Sequence, residues 1–288
     1  MSDPMHAAPG RVGTVIVGVD DTSYSWLAAQ WAAAEALLRG DVLRVVHAVG
    51  PGDDPGAEAR VLDAAASVLD DARVRIATAR PTLRVDTVLG REEPADALLS
   101  ASRDADLIVV GTRGRGGFAG LLLGSVSLKV AAHADCPVVI TRDHPEKATG
   151  GEIVAGVRDG GDEDAVRFAL AEAERRGVGV RLVHAWTPFV RSGMTVPQPS
   201  QLDDEQRLHE SLLRHAARPV ADYPDVPVDT ELSVGPPAAA LVDASARAAL
   251  VVLPRHPPHG LGLRLGSVVH AVLHHADCPV AVVPTDPG

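Results

Sequence analysis

Aromatic residues are scarce in this 288-residue chain: Phe, Trp and Tyr make up 3% of it, whereas hydrophobic residues together make up 46%. Ala, Val and Leu must therefore build the cores, which is typical of α/β proteins with Val-rich strands and Ala-rich helices. Cysteine is nearly absent too. Cys136 and Cys278 both stand in D-C-P sequences before an apolar run, where a reduced, buried thiol is the ordinary interpretation and a disulfide the rarer one.

Basic residues are outnumbered, with 27 Lys and Arg against 38 Asp and Glu, and the formal net charge is −11. Binding to nucleic acid needs a clustered basic surface, so we expect no such partner, although a local anion pocket is permitted. No apolar run reaches the roughly 18 residues that a membrane span needs, and the first ten residues lack the features of a signal peptide. We therefore expect no membrane association and a cytoplasmic location.

Apolar runs and helical periodicity alternate along the first half. Five runs predict strands, at 15–20, 42–49, 83–89, 107–110 and 138–141. Four stretches predict helices: one from a cap at Thr22 or Ser23 to Leu38, and others at 57–80, 92–103 and 125–134. Strands that alternate with helices form parallel βαβ units with right-handed crossovers. The pattern thus predicts an α/β fold with a doubly wound, Rossmann-like sheet of five strands.

The second half repeats the first with a period near 140 residues. H-A-D-C-P-V occurs at 133–138 and again at 275–280, L-G-S-V at 123–126 recurs at 265–268, and V-H-A at 46–48 recurs at 183–185. Internal duplication therefore predicts two tandem domains, at 1–145 and 150–288, with a short polar linker between them.

A glycine-rich stretch at 111–127 follows the fourth predicted strand and reads G-T-R-G-R-G-G-F-A-G-L-L-L-G-S-V-S. Gly111 and Gly114 permit positive φ and let backbone N–H groups approach a ligand, while Gly124-Ser125 opens a helix with unpaired donors, so the loop can hold phosphate oxygens. It lacks the Lys-Ser or Lys-Thr of a Walker loop, and it does not follow the first strand as a dinucleotide fingerprint would. A flexible connector is the alternative.

Asp20 ends the first predicted strand, and the glycine loop follows the fourth. Since the carboxyl ends of parallel strands meet where the strand order reverses, the two segments are predicted to converge on one ligand crevice. Asp20 could instead serve only as a helix N-cap shared with Asp21. His47 is most simply a packed strand residue, and no residues have the spacing of a metal site.

The G-x2-G-x9-G-S spacing of Gly111, Gly114, Gly124 and Ser125 resembles the ATP-binding loop of the universal stress protein family. The resemblance extends over nearly the whole chain, through V-G-V-D-D-x-S at 17–23, V-H-A at 46–48, A-D-L-I-V-V-G at 105–111 and the C-P-V strand. It implies that ATP, or a related adenine nucleotide, lies across the point where the strand order reverses, with or without Mg²⁺.

The resemblance also implies roles for individual residues. Asp20 would bind the ribose hydroxyls. The adenine would be framed by Gly18, Val19 and Ala48. The phosphates or the ribose would be contacted by Gly111, Gly114, Gly124, Ser125, Val126 and Ser127. Arg113 and Arg115 can also reach a triphosphate, although exposed loop arginines are more often only solvated.

The second half departs from this pattern. Arg158 stands where the first half has its strand-end aspartate, and the loop reads L-P-R-H-P-P-H-G-L-G-L-R-L-G-S over 253–267. Depending on where one deletion falls, the first two loop glycines are replaced by Leu253 and His256 or by Pro254 and Pro257. Because proline lacks an N–H group, we expect close approach to a triphosphate to be lost and this half to be structural or regulatory.

The function so implied is that of an ATP-binding stress-response or regulatory protein that holds its nucleotide mainly in the first half. It would be non-catalytic, or at most a very slow ATP hydrolase, because no catalytic residues are evident. The alternatives are a slow ATPase or nucleotidyl enzyme, since the fold alone does not decide activity, and a ligand-free protein-interaction module. The resemblance also allows a homodimer in addition to pairing of the two halves within one chain.

Overall fold

The computed structural model describes residues 12–51, 55–114, 123–142, 151–188, 199–256 and 265–285, with only the backbone for 55–57 and 199–201. Contacts between Cα atoms divide the chain into two compact units, Met1–Asp143 and His144–Gly288. None of the described helices is long and apolar enough to cross a membrane.

Strands and helices alternate through the described residues of the first unit. They are β1 (Thr14–Gly18), α1 (Ser23–Arg39), β2 (Val42–Ala48), α2 (Pro55–Ala79), β3 (Val85–Gly90), α3 (Pro94–Ala101), β4 (Leu107–Val110), α4 (Ser125–His133) and β5 (Val138–Ile140). The strands pair in parallel in the order β3-β2-β1-β4-β5. The strand order therefore reverses between β1 and β4, which is where doubly wound folds bind ligands.

The second unit has the same succession of elements. They are β6 (Ile153–Gly156), α5 (Glu163–Arg176), β7 (Val180–Trp186), α6 (Pro199–Ala216), β8 (Val228–Val234), α7 (Pro237–Ser245), β9 (Leu250–Arg255), α8 (Ser267–His275) and β10 (Val280–Pro284). Its parallel order is β8-β7-β6-β9-β10. The predicted α/β fold, two tandem five-stranded parallel sheets related by duplication, is confirmed.

The limits of two predicted strands were wrong by a few residues. β1 ends at Gly18 rather than Asp20, although Val19 N–H still donates to Val46 O at 2.9 Å. β3 begins at Val85 rather than at residue 83 because Leu83 N–H donates to Arg80 O at 3.1 Å, which closes a turn. Asp20 thus lies beyond the strand, in the segment that leads into α1.

The core of each unit consists of aliphatic strand residues covered by small helix residues. Ile16, Leu43 and Ile108 are fully buried in the first sheet, and α1 contributes Ala28 and Ala32 with no exposed surface. Small residues let the helix pack close to the sheet. The predicted Ala, Val and Leu core is confirmed, and both cysteines are buried thiols that form no disulfide, as predicted.

The first helix of each unit is capped by residues that the local sequence specifies. Thr22 Oγ accepts the N–H of Ser25 at the start of α1, which confirms the predicted cap. Gly40 ends α1 with φ 73°, and Gly177 ends α5 with φ 63°. Both glycines adopt the left-handed conformation that side chains disfavour, so their identity determines where the helices stop.

Duplication extends to buried polar contacts. Ser102 Oγ accepts the N–H of Asp135 at 3.1 Å, and Ser245 Oγ accepts that of Asp277 at 2.9 Å, so each unit ties its D-C-P turn to the end of α3 or α7 in the same way. Such matching contacts equate positions between the two units and supply a structural alignment of the repeat.

Candidate functional site

A cavity of about 490 Å³ opens in the first unit at the carboxyl ends of β1, β2 and β4. It lies where the strand order reverses. The structure brings all ten predicted site residues to this cavity: Gly18, Val19, Asp20, Ala48, Gly111, Gly114, Gly124, Ser125, Val126 and Ser127. Segments separated by some ninety residues in the sequence thus line one crevice.

Asp20 faces two neighbours with its two carboxylate oxygens. Oδ1 accepts hydrogen bonds from the N–H of Thr22 at 2.9 Å and from its hydroxyl at 2.5 Å. Oδ2 lies 2.8 Å from the point that a Cβ atom on Gly114 would occupy. Asp20 is therefore not the N-cap itself, which is Thr22, but it holds the cap while its other oxygen lies beside the glycine loop.

Gly111 and Gly114 are explained by close packing and not by positive φ, so that part of the prediction was wrong. Among the described residues, positive φ angles occur at Gly40, Gly177 and Gly235. A Cβ atom on Gly111 would lie 2.8 Å from the backbone oxygen of Tyr24, which is too close for any side chain. Gly111 is thus required by the packing of β4 against the start of α1.

The start of α4 forms the opposite wall of the cavity. Its N-cap, Gly124, has no side chain to occupy the N–H groups of the first turn, and its own N–H donates to Thr112 O at 2.7 Å. These first-turn N–H groups and the positive end of the helix dipole favour an anion. The hydroxyl of Ser127 is buried and donates to Gly111 O at 2.7 Å, so it also joins the helix to the loop.

The end of the cavity at β2 and α3 is mainly apolar, with the carboxylate of Glu93 at the start of α3. Val46, Ala48 and Leu98 line it, and a Cβ atom on Gly18 would lie 2.9 Å from Leu98 Cδ1. Glycine at position 18 therefore lets α3 approach the end of β1. His47 is only 5% exposed and donates from Nδ1 to Val19 O at 2.6 Å, which confirms that it is a packed strand residue.

Several residues that line the cavity were not found from the sequence. They are Ser25 on α1, Val46 and Val49 on and after β2, Val110 at the end of β4, Leu123 beside α4, and Glu93, Pro94 and Leu98 at α3. Glu93 and Pro94 follow β3 directly, at the same edge of the sheet as Asp20. The rule that ligands bind at the carboxyl ends of parallel strands could have located them.

Comparison with known proteins agrees with this fold. The family model described as "Universal stress protein family" matches residues 12–142 and 151–284. The chain belongs to the universal stress protein family. Universal stress protein Rv2005c of Mycobacterium tuberculosis (strain ATCC 25618 / H37Rv) is 36% identical over 297 residues, which cover 95% of this chain and 98% of that protein.

Two further relatives span almost the whole length. Universal stress protein Rv2623 of the same strain is 35% identical over 291 residues, covering 93% of this chain and 95% of that protein. The crystal structure of a universal stress protein from Archaeoglobus fulgidus DSM 4304 has a TM-score of 0.72 at 17% identity, covering 94% of this chain and 98% of that one. This last likeness shows a shared fold.

The second universal stress protein unit can be aligned with the first through strand register. Val154 of β6 pairs with Val251 of β9, as Ile16 of β1 pairs with Ile108 of β4. The pairing of β4 with β5 and of β9 with β10 gives the same alignment. This alignment equates Gly111 with Pro254. Of the two alignments that the sequence left open, the structure thus selects the one with Pro254 and Pro257. Pro257 itself lies outside the described residues.

The same register places Arg158 at the position of Asp20, as predicted. The side chain of Arg158 pairs with Asp159 at 2.8 Å. Burial raises the pKa of Asp159, but the N–H of Gly161 and the guanidinium of Arg158 outweigh this effect and hold the pKa below its ordinary value. The strand-end carboxylate is thus replaced by an exposed ion pair.

Asp162 is a residue of this unit that the sequence argument missed. It is fully buried and accepts the backbone N–H groups of Arg158 at 2.5 Å and Asp159 at 3.1 Å. Counting back along α1 and α5 from their C-terminal glycines equates Asp162 with Ser25. The second unit thus has a carboxylate where the first has a cavity-lining hydroxyl.

The middle of α6 in the second unit is joined to β7 by a cluster of His184, Trp186 and His209. His184 donates from Nδ1 to Val157 O at 2.8 Å, and its Nε2 lies 2.7 Å from Nδ1 of His209. His209 stacks on Trp186 with ring centroids 4.5 Å apart. Burial and the neighbouring His184 lower the pKa of His209, while Glu205 opposes the change.

Proposed function

We propose that the first unit binds an adenine nucleotide, with ATP as the principal ligand, and that the protein acts in stress response or regulation through this nucleotide without rapid turnover. The observation that supports the proposal is that the cavity lining is divided into three regions of different chemistry. A mainly apolar end at β2 and α3, a carboxylate beyond β1, and an uncapped helix start at α4 succeed one another around one crevice.

Each part of that lining suits one part of a nucleotide. Val46, Ala48 and Leu98 offer an apolar surface for a base, and the carboxylate of Asp20 can accept hydrogen bonds from ribose hydroxyls. The N–H groups at the start of α4 suit phosphate oxygens. The volume of about 490 Å³ lies within the range of roughly 300–1,000 Å³ that is usual for small-molecule sites.

A regulatory role fits the lining better than a hydrolytic one. Hydrolysis of ATP needs a residue that activates or positions a water molecule beside the terminal phosphate. The carboxylates among the described lining residues are Asp20, which is tied to Thr22, and Glu93, which lies against Gly50. Mg²⁺ would enter with the phosphates of the nucleotide, since Mg²⁺ is commonly held by phosphate oxygens, water and few protein ligands.

The test begins with the full chain as purified. Mass spectrometry identifies any small molecule that co-purifies, and calorimetric titration with ATP, AMP, cyclic AMP and GTP measures affinity with Mg²⁺ and with EDTA. We expect ATP to bind, and Asp20→Ala to weaken binding about 10-fold or more, because a polar contact to the ribose is lost. Asp70→Ala is the matched control, since the Asp70 side chain is 74% exposed on α2 of the same unit.

The alternatives predict other results. If no adenine nucleotide co-purifies or binds, the ligand-free interaction module is the better description. If added ATP is turned over at about 1 s⁻¹ or faster, in the ordinary range of enzymes, the protein is an ATPase and the regulatory proposal is wrong.

A further inference from the structure

Arg113 is the one lysine or arginine among the described residues that line the cavity of the first unit. Asp20 and Glu93 line the same cavity, so without Arg113 the charged side chains of the lining would be carboxylates. A phosphate chain carries several negative charges and would be repelled by such a lining. Among the described lining residues, electrostatic complementarity to a nucleotide therefore depends on Arg113; Arg115 lies outside the described residues.

The position of Arg113 is determined by its backbone neighbours. Thr112 O accepts the N–H of Gly124, and the Cα atom of Arg113 lies 3.6 Å from the point that a Cβ atom on Gly124 would occupy. Arg113 thus begins directly against the start of α4, where the free N–H groups of the helix lie. Two anion-binding features, a helix N-terminus and a guanidinium, converge at this end of the cavity.

Tyr24 supports the guanidinium of Arg113. Cζ of Arg113 lies 5.5 Å from the centre of the Tyr24 ring, within the range of a cation–π contact. Tyr24 is itself held at the start of α1, where its backbone oxygen packs against Gly111. A stacked guanidinium retains N–H groups at its edge for phosphate oxygens and loses less rotational freedom when it binds them.

The second unit shows what the corresponding position faces. Strand register equates Arg113 with His256, and Nε2 of His256 lies 3.0 Å from Oδ1 of the buried Asp162, without the alignment of a hydrogen bond. In that unit the imidazole at this position faces an internal carboxylate. The counterpart of Arg113 in the second unit thus lies beside an anionic group, the carboxylate of Asp162.

We propose that Arg113 binds the phosphate chain of the nucleotide and sets the preference for ATP over AMP and adenosine, and that Tyr24 is the positioning residue that holds its guanidinium toward the cavity. The inference rests on the proposed nucleotide function of the first unit. It assigns the recognition of the phosphates to a side chain, in addition to the backbone of the glycine loop.

The experiment compares adenosine, AMP, ADP, ATP and inorganic tripolyphosphate by calorimetric titration of the full chain in EDTA. We expect Arg113→Gln to lower ATP affinity about 10- to 100-fold and to leave adenosine affinity unchanged, because charge-assisted hydrogen bonds are lost only to the phosphates. Tyr24→Leu should lower ATP affinity about 2- to 5-fold, and Tyr24→Phe, which keeps the ring, should restore it. Arg91→Gln is the control, since the Arg91 side chain is 72% exposed.

Equal ATP affinity in wild type and Arg113→Gln would overturn the assignment, as would an equal loss for adenosine. Binding of tripolyphosphate that depends on Arg113, in a protein that binds neither adenosine nor ATP, would support the role of Arg113 and refute the nucleotide function. If the wild type binds none of these compounds, both proposals are wrong. Equal effects of Tyr24→Phe and Tyr24→Leu would exclude the positioning role of the ring.

Discussion

Oδ2 of Asp20 lies 2.8 Å from the point at which a Cβ atom on Gly114 would sit, so the strand-end carboxylate and the glycine loop are in direct contact. The contact joins residues from the two segments that the strand reversal brings together. The Asp20 carboxylate can occupy this position only because residue 114 has no side chain.

We expect Gly114→Ala to displace the Asp20 carboxylate and to lower ATP affinity about 10-fold, since a Cβ atom at 2.8 Å forces one group to move. Calorimetric titration measures the change. Gly266→Ala in the second unit is the control, because a Cβ atom there meets nothing within 4 Å. Unchanged ATP affinity in Gly114→Ala would mean that the carboxylate does not need its observed position.

Gly111→Ala should act on folding before it acts on binding. The added Cβ would meet the backbone oxygen of Tyr24 at 2.8 Å, and overpacking of this kind costs about 1–3 kcal/mol. Urea unfolding followed by Trp fluorescence reports mainly on the first unit, where Trp26 and Trp31 lie. Gly124→Ala, whose nearest contact would be 3.5 Å, should lose much less stability. A Gly111→Ala protein of normal stability that fails to bind ATP would instead make Gly111 a ligand contact.

Ser25→Asp should abolish nucleotide binding by the first unit. It places in the cavity wall the carboxylate that Asp162 supplies in the second unit, and like charge repels the phosphates. We expect a loss of about 100-fold or more in ATP affinity by titration. Ser25→Ala is the control for the hydrogen bonds that the hydroxyl donates to Asp20 O and Thr22 O. An equal loss in both variants would show that the hydroxyl, and not the charge, matters.

The full chain should bind one ATP. Asp20 and Gly111 of the first unit are replaced by Arg158 and Pro254 in the second, and proline can offer no N–H group to a phosphate. Each missing polar contact weakens binding by about 1–3 kcal/mol, so their combined loss should be large. Titration of wild type gives the stoichiometry, and Asp20→Ala should remove the single site. Two equivalent sites per chain would contradict the prediction.

Acidification should destabilise the second unit through His209. Its pKa is lowered from the ordinary value of 6.5 in the folded protein, first by burial and then by His184, so the unfolded chain binds its proton more readily. The contribution of His209 to the free energy of unfolding is therefore fully present above pH 6.5 and is lost as pH falls through the pKa of the folded state. Urea unfolding followed by circular dichroism at several pH values measures the trend.

His209→Gln isolates this effect, because glutamine can still donate a hydrogen bond to Nε2 of His184 but does not titrate. Its stability should fall less than that of wild type between neutral and mildly acidic pH. Parallel curves for the two proteins would assign the acid sensitivity to other groups.

The order of strands and helices could be read from the residues because it depends on local periodicity. Val-rich runs between amphipathic segments, Gly40 after α1, and the repeated D-C-P turn are local signals, and they were sufficient to predict two doubly wound units. The ten site residues were named from the resemblance to a known family, which the loop spacing and the segment at 17–23 carry. Spacing indicates which groups are present, and the family likeness suggests what they bind.

Only the tertiary structure decided why those residues are needed, which residues they pack against, and which residues replace them in the second unit. The requirement for glycine at 111 comes from Tyr24, which is 87 positions away in the chain, and that at 114 comes from Asp20. The alignment of Pro254 with Gly111 rests on hydrogen-bond register between strands. The equivalence of Asp162 with Ser25 rests on their equal distance from the glycine that ends each helix, because the stretch from the end of the first strand to this position is one residue shorter in the second unit than in the first. These relationships depend on contacts between residues distant in sequence, and such contacts exist only once the sheet has formed.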